Sequence, residues 1–317
     1  MKWALLLVCL VKSAELYNYQ NLQHYSTVQI GGQPIKVMFD TGSNHVWVAS
    51  KSCKSLGCKK QTTFDPSLSF NLQTSFEVEF GSGRVRGELI LDTIQIDQIE
   101  LKNVTIGLVT HEFGNSFSRL PFAGIIGLGP AYIAHWPTFF MELQSQKSIS
   151  TASISLAKNE SKPGRVSFGG KPHANYYKVI SKDYWEIQLK DILVNGVSAG
   201  ICQEIEAIQG SCQAVVDSGT SVLGAPYELV NYLNKVIGIN PDCSNAQLLP
   251  SLGFKIGKDT YQLDVYDYVT VSEGRCSLAL MEIDFPAIVL GATFIRKFNL
   301  VLDYETKLIG LINNYKK

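Results

Sequence analysis

Met38-Phe39-Asp40-Thr41-Gly42-Ser43 and Val215-Val216-Asp217-Ser218-Gly219-Thr220-Ser221 are two copies of one short pattern, set far apart in the chain. In each copy an apolar run ends on an aspartate, and a hydroxyl residue, a glycine and a second hydroxyl residue follow. A strand of this kind delivers the carboxylate to a turn, where the neighbouring hydroxyls can bond to it or to nearby backbone. A single Asp-Thr-Gly would say little. The weight comes from a second repeated element, Phe122-Ala123-Gly124-Ile125-Ile126-Gly127-Leu128-Gly129 after the first copy and Ala287-Ile288-Val289-Leu290-Gly291-Ala292 after the second. Each half therefore reads as an Asp turn followed later by an apolar run closed by glycine. Two related halves arranged about a pseudo-twofold axis would bring one aspartate from each to a common point.

On these residues the chain resembles the pepsin-like aspartic endopeptidases, from about Leu16 to Ile312. The resemblance implies an all-β, bilobal acid protease fold with a few short helices, and a reaction carried by Asp40 and Asp217 without metal or cofactor. Two carboxylates at about 4 Å repel by roughly 4 kcal/mol at an effective dielectric near 20, or about three pKa units. They must share a proton over a broad acidic range, a known property of this family, and the apparent pKa values belong to the pair. One carboxylate can then take a proton from a water lying between them while the other donates to the peptide carbonyl oxygen. Carried over by position, Thr41 and Ser218 bond across the lobe junction. Ser43 and Thr220 support the outer carboxylate oxygens, and Gly42 and Gly219 complete the turns.

The segment Phe80-Gly81-Ser82-Gly83-Arg84-Val85-Arg86-Gly87 resembles the flap, a hairpin closing over substrate, whose glycines permit a tight, mobile tip. Phe80 stands where the family usually has a tyrosine whose hydroxyl bonds a tryptophan indole, matched here by Trp47. Phe117, Phe122 and Ile125 are candidates for an apolar side-chain pocket or for core. Arg84 and Arg86 read as solvated charges. Ala292 stands where relatives often have aspartate, and with Phe80 it motivates an alternative reading, a weakly active or inactive peptide-binding protein of the same fold.

The 28 basic and 28 acidic residues among 317 leave no basic face for nucleic acid, and the length suits two lobes, each with its own core. Met1 to Val11 carry a basic residue and a short apolar run, with Ser13 and Ala14 following, so residues 1–14 read as a signal peptide. No later apolar run approaches the roughly 20 residues of a membrane span. The expected protein is a monomer acting on protein or peptide substrates, with no membrane anchor, in the secretory pathway, outside the cell or in an acidic lysosome- or vacuole-like compartment. Tyr17-Asn18-Tyr19 resembles the start of a mature enzyme and follows the expected leader almost at once, which leaves no room for the basic pro-segment that members usually carry; either the enzyme is not held as such a zymogen or the N-terminus is incomplete.

Without Cys9, six cysteines remain, which allow 15 pairings by arithmetic alone. The resemblance selects Cys53 with Cys58, Cys202 with Cys212 and Cys243 with Cys276. No close second pair of Cys or His completes a zinc site at Cys53 and Cys58. The five histidines, His24, His45, His111, His135 and His173, lack ligand spacing. His45 reads as a turn residue, with pH tuning of Asp40 as the competing reading. Asn103-Val104-Thr105 and Asn159-Glu160-Ser161 are glycosylation acceptor patterns.

Strand character is expected at 77–80, 87–94 and 261–265, and helices are expected from Pro137 to Gln146 and from Pro226 to Leu233. The lobes are expected at 15–180 and 181–317, with the junction near Lys178 to Asp183 and the last strand returning to a shared sheet.

Overall fold

The computed structural model describes residues 11–81, 83–114, 116–130 and 134–313. Met1 to Leu10, Cys9 among them, and Ser82 lie outside these. The architecture is two β-rich lobes with few, short helices.

The two halves of the repeated pattern have one local topology. The strand Gln33–Asp40 runs parallel to Gly124–Gly127, with Asp40 opposite Gly127. In the second half Gln213–Val216 runs parallel to Ile288–Leu290, with Val216 opposite Leu290 and Asp217 N–H donating to the Leu290 carbonyl at 3.1 Å. A third strand, Val46–Ala49 or Leu223–Ala225, pairs antiparallel to the other edge of each glycine-closed run. These central runs are buried on both faces, so they read as continuous apolar stretches and not as alternation.

The closing glycines answer to close approach. A Cβ at Gly127 would lie 2.5 Å from the Asn44 carbonyl carbon, and one at Gly291 would lie 2.1 Å from the Val222 oxygen. No side chain fits between the aspartate loop and the run behind it.

Among the described residues thirteen strands form one sheet, and it holds the last of them, Leu308–Asn313. The C-terminal pair Phe298–Asp303 and Leu308–Asn313 joins Thr151–Ser155 of the first half, with Leu300 opposite Ile154. Two further contacts tie the halves together at Leu128, whose carbonyl accepts from Trp185 Nε1 at 2.7 Å and from the Tyr304 hydroxyl at 2.6 Å. The strand Lys12–Tyr19 lies in the same sheet, with Ala14 opposite Val166. Among the described residues this pairing includes Lys12, Ser13 and Ala14, which fall in the stretch 1–14 read as a signal peptide.

Both expected helices are present with shifted ends. The first runs Phe139–Lys147, because the Thr138 hydroxyl accepts from Met141 N–H at 3.1 Å and caps it there. The second runs Tyr227–Ile237 and stops at Gly238, whose φ of +59° suits a helix terminus. The expected strand 261–265 is observed as Asp259–Leu263, because Asp264 begins a short helix with a capping box on Asp267. The helix Ile201–Gln209 was not anticipated. The sulfurs join Cys53 to Cys58, Cys202 to Cys212 and Cys243 to Cys276, each pair within one lobe.

Candidate active site

Asp40 and Asp217 converge from the two halves, and the glycine after each hydroxyl residue makes this possible. A Cβ on Gly42 would sit 2.5 Å from Asp217 Oδ1, and one on Gly219 would sit 2.3 Å from Asp40 Oδ1. Each turn thus lays bare backbone against the other half's carboxylate. Gly42 N–H donates to Asp40 Oδ1 at 2.9 Å and Gly219 N–H to Asp217 Oδ1 at 2.8 Å, which orients the two carboxyl planes alike.

Thr41 and Ser218 lock this arrangement from beneath. Thr41 N–H donates to Ser218 Oγ at 3.0 Å, and Ser218 N–H donates to Thr41 Oγ1 at 2.9 Å. Their hydroxyls donate onward, Thr41 to the Val216 carbonyl at 2.8 Å and Ser218 to the Phe39 carbonyl at 2.7 Å. Four buried hydrogen bonds therefore cross the junction, each satisfying a group that would otherwise be stranded away from water.

The outer supports are unequal. Thr220 Oγ1 donates to Asp217 Oδ2 at 2.5 Å. Ser43 also acts through its hydroxyl on Asp40 to favour the ionised carboxylate, but this buried hydroxyl makes no hydrogen bond of comparable geometry. Asp40 is buried and Asp217 is half-buried. Burial first, and then the neighbouring Asp217 carboxylate, push the pKa of Asp40 well above the ordinary carboxylate range.

The strand Phe70–Phe80 pairs with Gly83–Ile96 as a hairpin that closes on Phe80 opposite Gly83, and Ser82 lies outside the described residues. Trp47, Phe117, Phe122 and Ile125 share one apolar cluster with Met38, Phe76 and Trp136, and Phe80 packs against it. The Phe80 ring lies 6.1 Å from Trp47, and the Trp47 indole Nε1 is buried without a partner. Phe80 has no hydroxyl to supply one. Arg84 pairs with exposed Glu77 at 3.1 Å and lies over the Phe113 ring, so it braces the hairpin at its solvent side.

His45, in the segment just before the strand Val46–Ala49, is buried at 7 % exposure. Trp136 and His135, which pack against it, were not anticipated. They lie near residues 131–133, outside the described residues, in a segment without periodicity to read.

A bilobal β fold with one Asp-hydroxyl-Gly turn from each half, locked by reciprocal hydroxyl bonds, is the arrangement of an aspartic protease. The chain matches the family described as eukaryotic aspartyl protease over residues 23–313, and it belongs to that family. Among similar proteins are pepsin A of Suncus murinus, 32 % identical over 93 % of this chain and 82 % of that protein, and cathepsin E-B of Xenopus laevis, 30 % identical over 94 % and 81 %. Chymosin of Callithrix jacchus is 29 % identical over 95 % and 83 %.

Proposed function

We propose that the chain is an active acid endopeptidase that hydrolyses extended protein or peptide substrates through a water activated between Asp40 and Asp217. The observation that carries this reading is the convergence of two carboxylates on reciprocal backbone and hydroxyl supports. The pair shares one proton, and the deeper burial of Asp40 disfavours its charged form. The ionised carboxylate takes a proton from water as its oxygen attacks the scissile carbonyl carbon, and the protonated one donates to the carbonyl oxygen. Collapse of the tetrahedral species breaks the C–N bond, and the leaving nitrogen takes up a proton from the pair. The backbone donors at Gly42 and Gly219 hold both carboxyls in place before substrate arrives, which lowers the reorganisation needed in the transition state.

The lobe division near residue 180, the flap role of residues 80–82 and the pocket role of Phe117, Phe122 and Ile125 belong to the same proposal. So does passage through the secretory pathway to the exterior or to an acidic compartment, with Asn103 and Asn159 as exposed acceptors for glycan. Ser161 already engages Asn159, its hydroxyl donating to Oδ1 at 2.5 Å. Among the described residues no helix is long and apolar enough to cross a membrane.

The test is cleavage of an acid-denatured protein, blocked by a statine-containing peptide that mimics the tetrahedral species. With charges balanced at 28 each, activity is expected to peak at roughly pH 4 to 6, where the pair holds one proton. A maximum above pH 7 would contradict the mechanism. The orphaned Trp47 Nε1 favours one alternative, a peptide-binding protein with little turnover. Tight binding of the statine peptide with no cleavage at any pH would establish that alternative.

Phe80→Tyr is expected to raise kcat/KM by a few-fold up to about tenfold, because one hydrogen bond to a buried donor contributes about 1 kcal/mol or somewhat more. Trp47→Phe should then cost more in the Phe80→Tyr background than in the native one. A double-mutant cycle under single-turnover conditions measures the coupling apart from product release. Zero coupling would show that the flap closes through another contact.

A further inference from the structure

His45 lies five residues beyond Asp40, on the segment leading into the strand Val46–Ala49. Its Nε2 accepts from the His135 backbone N–H at 3.0 Å, so in this arrangement Nε2 carries no proton and the ring proton is on Nδ1. The ring lies 3.8 Å from Trp136, and Trp136 in turn meets Phe76 edge-on at 5.2 Å. Phe76 belongs to the first strand of the hairpin that ends at the flap tip. A continuous run of contacts thus leads from the Asp40 segment through His45 and Trp136 to the base of the flap. All three side chains are buried, at 7 % for His45, 8 % for Trp136 and 7 % for Phe76.

We propose that His45 is a positioning residue whose neutral form pins the 135–136 segment beneath the flap, so that its protonation loosens the flap base and sets the lower pH limit of the enzyme. The proposal rests on the reading of the chain as an acid endopeptidase. A proton on Nε2 removes the acceptor of the His135 N–H and places a cation against that donor. It also places a cation in the field of the His135 side chain, whose ring is stacked 5.7 Å away.

The contacts of the ring oppose that proton. The flap strand presents apolar Phe76 through Trp136, and the run Gly124–Gly127 presents backbone, with Gly127 N–H donating to the His45 carbonyl at 3.0 Å. The ionisable group whose field acts on the ring is His135, and on its own segment the nearest carboxylate along the chain is Asp40, five residues back. Burial first, and then His135, lower the pKa of His45 from 6.5 to about 4. Between those values the unfolded chain binds the proton and the native one does not. This contribution to stability is therefore complete above 6.5 and declines as pH falls towards 4.

The experiment compares wild type with His45→Gln, whose side-chain oxygen can accept from the same N–H but does not titrate. Activity against a peptide substrate is measured from about pH 2.5 to 6.5, each profile normalised to its own maximum. The wild-type profile should fall on the acid side near pH 4, and that of His45→Gln should fall at least one pH unit lower. Near pH 3 the variant then retains about tenfold more of its maximum. An unchanged acid limb in His45→Gln overturns the proposal and assigns the limb to the aspartate pair.

Tryptophan fluorescence supplies a second arm that needs no turnover. An imidazolium quenches an adjacent indole, so wild-type emission should titrate near pH 4. The transition should vanish in His45→Gln and in Trp136→Phe. Its persistence in both also overturns the proposal. A protein that cleaves nothing yet shows the transition would refute the endopeptidase reading while leaving the His45 contact intact.

Discussion

Replacing either Asp40 or Asp217 by asparagine is expected to lower kcat by about 10³- to 10⁴-fold, the range of a lost general acid or base, and the double variant should cost little more. The two carboxylates act as one unit, so removing the first already removes the shared proton and the second change has little left to remove. Purified, folded single variants retaining near wild-type turnover would refute the mechanism. The same substitution at Asp40 should stabilise the fold at neutral pH. Because burial and Asp217 raise the folded pKa of Asp40 above its ordinary 3.8, the native state binds the proton more tightly than the unfolded chain. The sign is therefore that stability is lost as pH rises through the raised value, and is fully present below 3.8. Asp40→Asn removes that loss, so its melting temperature should exceed wild type at pH 7, with the gap closing towards pH 3. A shift of about 2–4 °C per kcal/mol is the scale to expect. Equal melting temperatures at pH 7 would show that Asp40 ionises in the fold without cost.

The second large effect is expected beneath the dyad. Thr41→Val keeps the shape of the side chain but removes the donor to Val216 and the acceptor for Ser218 N–H. At about 1–3 kcal/mol for each of the two buried groups left without a partner, the loss should be about 2–6 kcal/mol. Ser218→Ala, which strands the Phe39 carbonyl and Thr41 N–H, should cost a similar amount. Thermal melts would report each as a fall of several degrees. Activity should fall as well, since Gly42 and Gly219 N–H can orient the carboxylates only while the two turns are held together. A melt within 1 °C of wild type for both variants would mean that the shared sheet alone holds the junction.

Legibility in the sequence followed how local each determinant is. The pairing of Asp40 with Asp217 was readable because the same apolar run, carboxylate, hydroxyl and glycine occur twice, and two copies of one local solution imply one topology used twice. The helices after Pro137 and Pro226 were readable from proline at the first turn, although Thr138 capping and Gly238 moved their ends. Ser43 was expected to mirror Thr220 from its position alone. The structure treats them differently because a hydroxyl's partner depends on side-chain direction, which sequence spacing does not specify.

What the sequence by itself determined is the family, the two aspartates and the missing hydroxyl at Phe80, since each is a matter of which residue types stand at which spacing. Tertiary structure alone decided that Asp40 is the more buried member of the pair and that Trp47 Nε1 has no partner. It alone joined His45, Trp136 and Phe76, from three separate segments, against the hairpin strand Phe70–Phe80. The physical reason is that burial, desolvation and contact across segments arise only when distant parts of the chain are packed together, and they change the chemistry of a residue without changing its letter.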